Sequence, residues 1–205
     1  MRKKEKENYQ RFLEIAKQET ASVLDNMDED ALERAAELIR QAGRKGNRLH
    51  ISGIGKPSHI AGYAASLFSS TGTPAYFLHG TEAVHGSCGQ LIPGDAVIFI
   101  SNSGETAEMR ATVTAIKNNG CAVIGVSRNP DSWLAAESDV CIRAGVEQEG
   151  GPLNRAPRMS IIAELFALQA LSILLQSELD ITPQQYVKWH PGGTLGKLRR
   201  EELKS

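Results

Sequence analysis

Residues 96–106 read Ala96-Val97-Ile98-Phe99-Ile100-Ser101-Asn102-Ser103-Gly104-Glu105-Thr106. Five apolar residues, three of them β-branched, describe a buried strand of a parallel sheet. The strand runs directly into hydroxyls, an amide and a glycine, and a helical pattern opens at Glu105 or Thr106 and continues to about residue 118. A helix that starts where a buried strand ends offers free N–H groups and the positive end of its dipole, which is a ready site for an anion such as phosphate. Ser101, Asn102, Ser103 and Thr106 add side-chain donors, and Gly104 lets a ligand approach the backbone closely. The plainer alternative is a simple N-cap, with Ser103 as the capping residue.

Outward from this unit the same rhythm repeats. Short apolar stretches at Arg48–Ser52, Ala75–Leu78, Ala96–Ser101, Cys121–Ser127 and Asp139–Arg143 alternate with helical stretches near 58–70, 82–89, 105–118 and 131–137. This predicts an α/β fold, a doubly wound five-stranded parallel sheet flanked by helices, with its ligand site beyond the carboxyl ends of the strands. A second glycine loop, Gly53-Ile54-Gly55-Lys56-Pro57-Ser58-His59, falls at that same rim. It lacks the third glycine of a dinucleotide fingerprint and has Pro57 where a P-loop needs Ser or Thr after the lysine. It reads as a close-approach loop in which Gly55 permits contact and Lys56 offers a cation, or as a tight turn with a solvated lysine.

The first 45 residues carry two helical patterns. One places Tyr9, Phe12, Leu13, Ala16, Val23, Leu24 and Met27 on a face; the other, about Asp30–Ala42, turns Leu32, Ala35, Leu38 and Ile39 inward and stops at Gly43. We read 1–45 as an N-terminal helical arm of the same domain and 46–205 as the phosphate-binding domain proper. After the fifth strand, Ala144–Arg158 is a long loop with Gly150-Gly151-Pro152, expected to be mobile and to close over a ligand. A helix follows from Met159 to Gln176, apolar on most faces, which suggests burial against the sheet and a partner. Thr182-Pro183 opens a short helix, His190-Pro191-Gly192-Gly193 forms a turn, and a basic last helix ends the chain.

With 205 residues, 41% hydrophobic, 23% charged and a net charge of −1, the chain can bury one sizeable core and presents no global field for nucleic acid or an anionic membrane. No apolar run is expected to approach the roughly 18 residues of a membrane span, and neither secretion nor insertion is expected. Cys88, Cys121 and Cys141 are widely spaced without a CxxC pair, which fits reduced thiols in a cytoplasmic protein. His79, Glu82 and His85 match no standard zinc spacing, so no metal is expected.

Taken together, these motifs resemble the sugar isomerase (SIS) domain family, whose hallmark is a Ser-x-Ser-Gly-Glu-Thr phosphate loop. Within it the likeness is greatest to the D-arabinose-5-phosphate isomerases, from Ile51 through Leu198. The matching stretches are Gly53–Lys56, Ser70-Thr71-Gly72-Thr73-Pro74, Glu82–Gly86, Ser101–Thr106 with Glu108, Glu149 ahead of Pro152-Leu153, Ala156-Pro157, and His190–Gly193 with Leu195-Gly196. The resemblance implies a flavodoxin-like SIS fold and an aldose–ketose isomerase acting on a phosphorylated sugar, arabinose 5-phosphate and ribulose 5-phosphate leading, with no cofactor. A different sugar phosphate, such as a hexulose 6-phosphate, and a non-catalytic sugar-phosphate sensor are the alternatives.

By the same resemblance Lys56, Glu108, Glu149 and His190 are the catalytic set. His85 joins Gly55, Ser101, Asn102, Ser103, Gly104 and Thr106 in binding substrate. Proton shuttling between C1 and C2 suits a carboxylate, and Glu149 is preferred over Glu108 as the base. His190 is implied to reach the site of a neighbouring subunit, which makes a homo-oligomer, a dimer or tetramer with shared active sites, the expected assembly. Three departures stand out: Arg158-Met159 where the family has hydroxyl residues, His85-Gly86-Ser87 where it has His-Gly-Asp, and Gly80-Thr81 where Pro-Gly is common. Many relatives continue into paired CBS modules. This chain ends at Ser205 and is read as a stand-alone SIS domain.

Overall fold

The computed structural model of the chain describes residues 1–204. Five strands, β1 (Leu49–Gly53), β2 (Ala75–His79), β3 (Ala96–Ile100), β4 (Ala122–Ser127) and β5 (Val140–Arg143), form one sheet in the order β2-β1-β3-β4-β5. Every pairing is parallel. The chain therefore reverses its direction of travel across the sheet between β1 and β3, and the doubly wound expectation is met.

Helices cover both faces, and the central strand β3 is apolar on both. Along β3, Ile98 and Ile100 join a core with Ile51 of β1, Phe68 of α3 (Lys56–Ser70) and Leu168 and Leu171 of α6 (Met159–Ser177). Val97 and Phe99 point the other way, to Met109, Val113 and Ile116 of α4 (Ala107–Asn118) and Leu134 of α5 (Trp133–Glu137). At the amino ends of the strands, buried Asp95 accepts from the N–H groups of Arg48 and Ile92 and lies 3.1 Å from His50 Nε2. That network closes the rim opposite the expected site.

The N-terminal helices differ from their reading in detail. α1 (Lys3–Asp25) buries Ile15 and Glu19 and packs Phe12, Ala16 and Val23 inward, while Tyr9, Leu13 and Leu24 are exposed. The buried stripe passes through Glu19, a residue that hydrophobic periodicity counts as outward. α2 (Glu29–Arg44) starts one residue early, capped by Asp28 on the Ala31 N–H, and runs through Gly43; the chain turns at Gly46, where φ is +79°. The basic last helix is replaced by two 3-10 turns, Thr194–Gly196 and Glu202–Lys204, after α7 (Pro183–Trp189).

The membrane expectation also needs correction, since α6 is 19 residues long with a mean hydropathy of 1.7, enough by length and composition to span a bilayer. Half of that helix is buried within the protein, against α1, α2, α3 and β4. Core packing accounts for an apolar surface on nearly every side.

Candidate active site

The loop after β3 is held from below by its neighbour. The Asn102 carbonyl accepts from the Arg128 N–H at 3.1 Å, and the Gly104 carbonyl from the Leu134 N–H at 3.0 Å. Ser101 is buried, and its Oγ accepts from the Gly104 N–H at 3.2 Å. Gly104 has φ +65°, and a Cβ there would run into the Ser132 side chain and lie 3.0 Å from Ser127 Oγ. Glu105 turns away from the loop, accepting from the Trp133 N–H at 2.9 Å and pairing with Arg110, whose guanidinium lies over the Trp133 ring.

The simple-cap alternative does not describe this loop. α4 begins at Ala107, its N-cap is Thr106 rather than Ser103, and Thr106 makes no capping bond. Ser103 Oγ accepts only from the Glu105 N–H, at 3.3 Å. Exposed Ser103 and Thr106 hydroxyls thus surround a helix end whose first-turn N–H groups have no side-chain acceptor. Chemically, that is a socket for a dianion. The buried Asn102 Oδ1 has no protein partner among the described residues.

Register sets the second loop beside the first, for Gly53 pairs with Ile100. A Cβ at Gly53 would stand 2.9 Å from the Pro57 carbonyl carbon and 3.1 Å from the Ile100 carbonyl oxygen, so the crossing is closed to larger residues. Gly55, with φ +70°, is the N-cap of α3, and exposed Lys56 begins that helix. Gly80, after β2, approaches the Gly53 carbonyl, and its own carbonyl accepts at 2.6 Å from Thr112 Oγ1 of α4. His85 is exposed in the 3-10 turn that follows, and Glu108 is exposed in the first turn of α4. His79 Nδ1 accepts from the Glu82 N–H, which ties it to that turn.

Glu149 is where the structure departs most from the sequence reading. Its Oε2 accepts from the N–H groups of Arg158, Met159 and Ser160 at 2.6, 2.8 and 3.2 Å, and so caps α6. Asn154, at φ +48°, accepts from the Glu149 and Gly150 N–H groups. Glu19 of α1 reaches over and accepts from the N–H groups of Glu147 and Gln148 at 3.1 and 2.9 Å. The loop expected to be mobile is pinned at both ends by these bonds, and the sequence reading missed them because nine to eleven residues of separation hide the Glu149 contacts from any local pattern. Glu147, otherwise similar in the sequence, is exposed and gives only its N–H to Glu19.

Two groups escaped the sequence reading. Glu19 has just been placed. Glu164 of α6 is fully buried with neither carboxyl oxygen bonded within the described residues, and burial, then the charge of Glu149, push it up to about 8. A signal for it existed, as it is the one charged residue in Met159–Ser177. Arg158, the departure next to it, uses its guanidinium on the Ala156 carbonyl of its own loop.

His190 lies apart from the others. It follows α7, stacks on Tyr186 and shares a 2.8 Å hydrogen bond between Nδ1 and the Tyr186 carbonyl. Its neighbour Trp189 lies against Gly72, beyond the last turn of α3, whereas Lys56 starts that helix. Fifteen residues of helix separate the two ends by about 20 Å. Within one chain the structure gathers Lys56, His85, Glu108 and the phosphate-loop residues at the strand carboxyl ends, with Glu149 at the start of α6, and leaves His190 at the opposite end of α3.

Comparison with known proteins agrees with this geometry. The SIS domain model matches residues 44–174. The chain is 38% identical over 179 residues to arabinose 5-phosphate isomerase KdsD of Francisella tularensis, covering 87% of this chain and 55% of that protein. It is 37% identical over 188 residues to the protein of the same name in Pseudomonas aeruginosa, covering 92% and 56%. The chain thus spans about half the length of the curated relatives it matches. An Escherichia coli CFT073 protein solved in complex with arabinose 5-phosphate superposes with a TM-score of 0.81 at 33% identity, over 93% of this chain and 100% of that one. The fold, the phosphate-loop sequence and the extent of these matches agree: the chain belongs to the SIS domain family.

Proposed function

We propose that this chain is an aldose–ketose isomerase of a phosphorylated sugar, with arabinose 5-phosphate and ribulose 5-phosphate as its pair. The observation that carries the reading is the uncapped loop Ser101–Thr106 set beside Lys56 by the Gly53–Ile100 register. Relatives named arabinose 5-phosphate isomerase and a solved neighbour holding arabinose 5-phosphate support the choice of sugar.

In this reading the phosphate docks on the first-turn N–H groups of α4 and on Ser103 and Thr106, which fixes the far end of the open-chain sugar. A carboxylate removes the proton from C2 of the aldose as electron density moves onto O1, giving an enediolate. The protonated carboxyl, able to exchange with solvent, delivers a proton to C1, while the O2 proton passes to O1, leaving a hydroxyl on C1 and a ketone at C2. Glu149 is the base we prefer, with Oε2 held by three N–H groups and no hydrogen bond to Oε1 among the described residues. Glu108 is its rival, on the first turn of α4. The ammonium of Lys56 stabilises the enediolate oxygens. His190, about 20 Å away along α3, serves ring opening in the site of a second copy, so the active assembly is a homo-oligomer with shared sites.

Incubation with arabinose 5-phosphate, ribulose 5-phosphate and hexose phosphates in deuterated water tests the reading. Solvent deuterium at C1 or C2 is expected with the pentose phosphates. Binding without exchange for every sugar overturns the isomerase and leaves a sensor; exchange confined to a hexose phosphate overturns the choice of substrate.

A further inference from the structure

Nothing in the proposed reaction uses Glu164, yet it lies about one turn along α6 from the helix end that Glu149 caps. It is fully buried, both of its carboxyl oxygens are without partners among the described residues, and the neutral acid is strongly favoured in such surroundings. Four residues earlier on the same face of α6, Ser160 gives its N–H to Glu149 Oε2, and the buried Ser160 Oγ is likewise unpartnered among the described residues. Helical side chains lean towards the N-terminus, so the Glu164 carboxyl leans towards the turn that Glu149 caps.

Several charged or titratable groups on the elements around α6 are engaged elsewhere or exposed. Glu19 of α1 holds Glu147 and Gln148, and Arg40 of α2 pairs with Glu33 and Glu178. On α3, Lys56 and His59 are exposed at the rim, and the Tyr63 hydroxyl accepts from Gln169. β4 carries no charged residue. Glu149 is the charge that acts on Glu164.

We infer that Glu164 is a positioning residue of the reaction centre, a buried and unpartnered carboxyl set one turn from the helix end capped by Glu149, which leaves the negative charge of the pair to Glu149. The inference rests on the isomerase reading with Glu149 as base. An enediolate is anionic, and a second negative charge behind the base opposes its formation. Ionisation of Glu164 near pH 8 therefore shuts the reaction down from the alkaline side.

The experiment compares kcat and KM of wild type with Glu164→Gln and Glu164→Met, each normalised to its own value at pH 7. Wild-type kcat is expected to fall by about tenfold between pH 7 and 9, with KM little changed because the phosphate loop is untouched. Both variants are expected to lose that limb. An identical alkaline limb in wild type and variants overturns the inference. Carboxyl carbon NMR provides an arm independent of turnover. One glutamate is expected to titrate near pH 8, to vanish in Glu164→Gln and to move down by at least about half a unit in Glu149→Gln. Should no sugar phosphate exchange deuterium, the isomerase reading falls, and the NMR arm decides the carboxyl pair separately: no glutamate titrating above about pH 6.5, or one indifferent to Glu149→Gln, refutes it.

Discussion

Replacing Glu164 by glutamine is expected to make the protein more stable at neutral pH, although it removes a buried residue of a core helix. Folding raises the carboxyl from 4.5 to about 8. Below pH 4.5 both folded and unfolded chains hold the proton, and the acid carries no pH-dependent penalty. As pH rises through the window from 4.5 to 8, the unfolded chain releases its proton while the folded one keeps it, so stability is progressively lost; above 8 the loss levels off. The slope is about 1.4 kcal/mol per pH unit, which amounts to about 3 kcal/mol at pH 7. Glutamine fills nearly the same volume and carries no proton equilibrium in either state.

Urea unfolding followed by circular dichroism at half-unit steps from about pH 4.5 to about 8.5, at one fixed protein concentration, reads the difference between the two proteins directly. The curves should meet near pH 4.5 and separate in favour of Glu164→Gln as pH rises. A difference that stays flat across that window would show that Glu164 is ionised in the folded protein, and the reasoning from its burial would fail.

Three further outcomes are expected. Glu19→Ala leaves the Glu147 and Gln148 N–H groups without their acceptor and should cost about 2–4 kcal/mol in urea unfolding; Glu19→Gln, which keeps one acceptor oxygen, should cost about half as much, and equal stabilities would contradict the clamp. Gly104→Ala combines a positive φ with a clash against Ser132, and should lose about 2–4 kcal/mol together with most affinity for phosphorylated ligands in calorimetry; near-normal binding would contradict the tight loop geometry. Ser103→Ala should weaken phosphate-bearing ligands much more than their dephosphorylated forms, and equal losses would contradict the socket at the start of α4.

The five-stranded parallel sheet and the loop at Ser101–Thr106 were legible because each depends on local signals: β-branched runs, helical periods, and glycines at crossings. The same signals located Lys56, while Glu108 came from the family resemblance. Family resemblance alone singled out Glu149 and His190, and it could not say that Glu149 caps a helix nine to eleven residues further on. Periodicity misjudged α1 because Glu19 lies on its buried stripe, where a carboxylate is tolerated only because two backbone N–H groups await it. Glu164 was readable as a lone acid in an apolar helix, yet its surroundings, which give it meaning, come from the tertiary fold. Gly43 was misread as a stop because a glycine interrupts a helix only where the backbone must turn, and here that point is Gly46.

The capping bonds of Glu149 tie chemistry to mechanics. If Glu149 is the base, as proposed above, it loses charge during turnover at the moment three N–H groups of α6 depend on it. On that proposal the first turn of the helix is expected to slacken and tighten once per cycle, and the Glu147–Gln148 segment, bonded to Glu19, is the route by which the movement would reach the N-terminal helix. Amide hydrogen exchange at Met159 and Ser160 would thereby act as a gauge of how long the base stays protonated, readable without following the sugar at all.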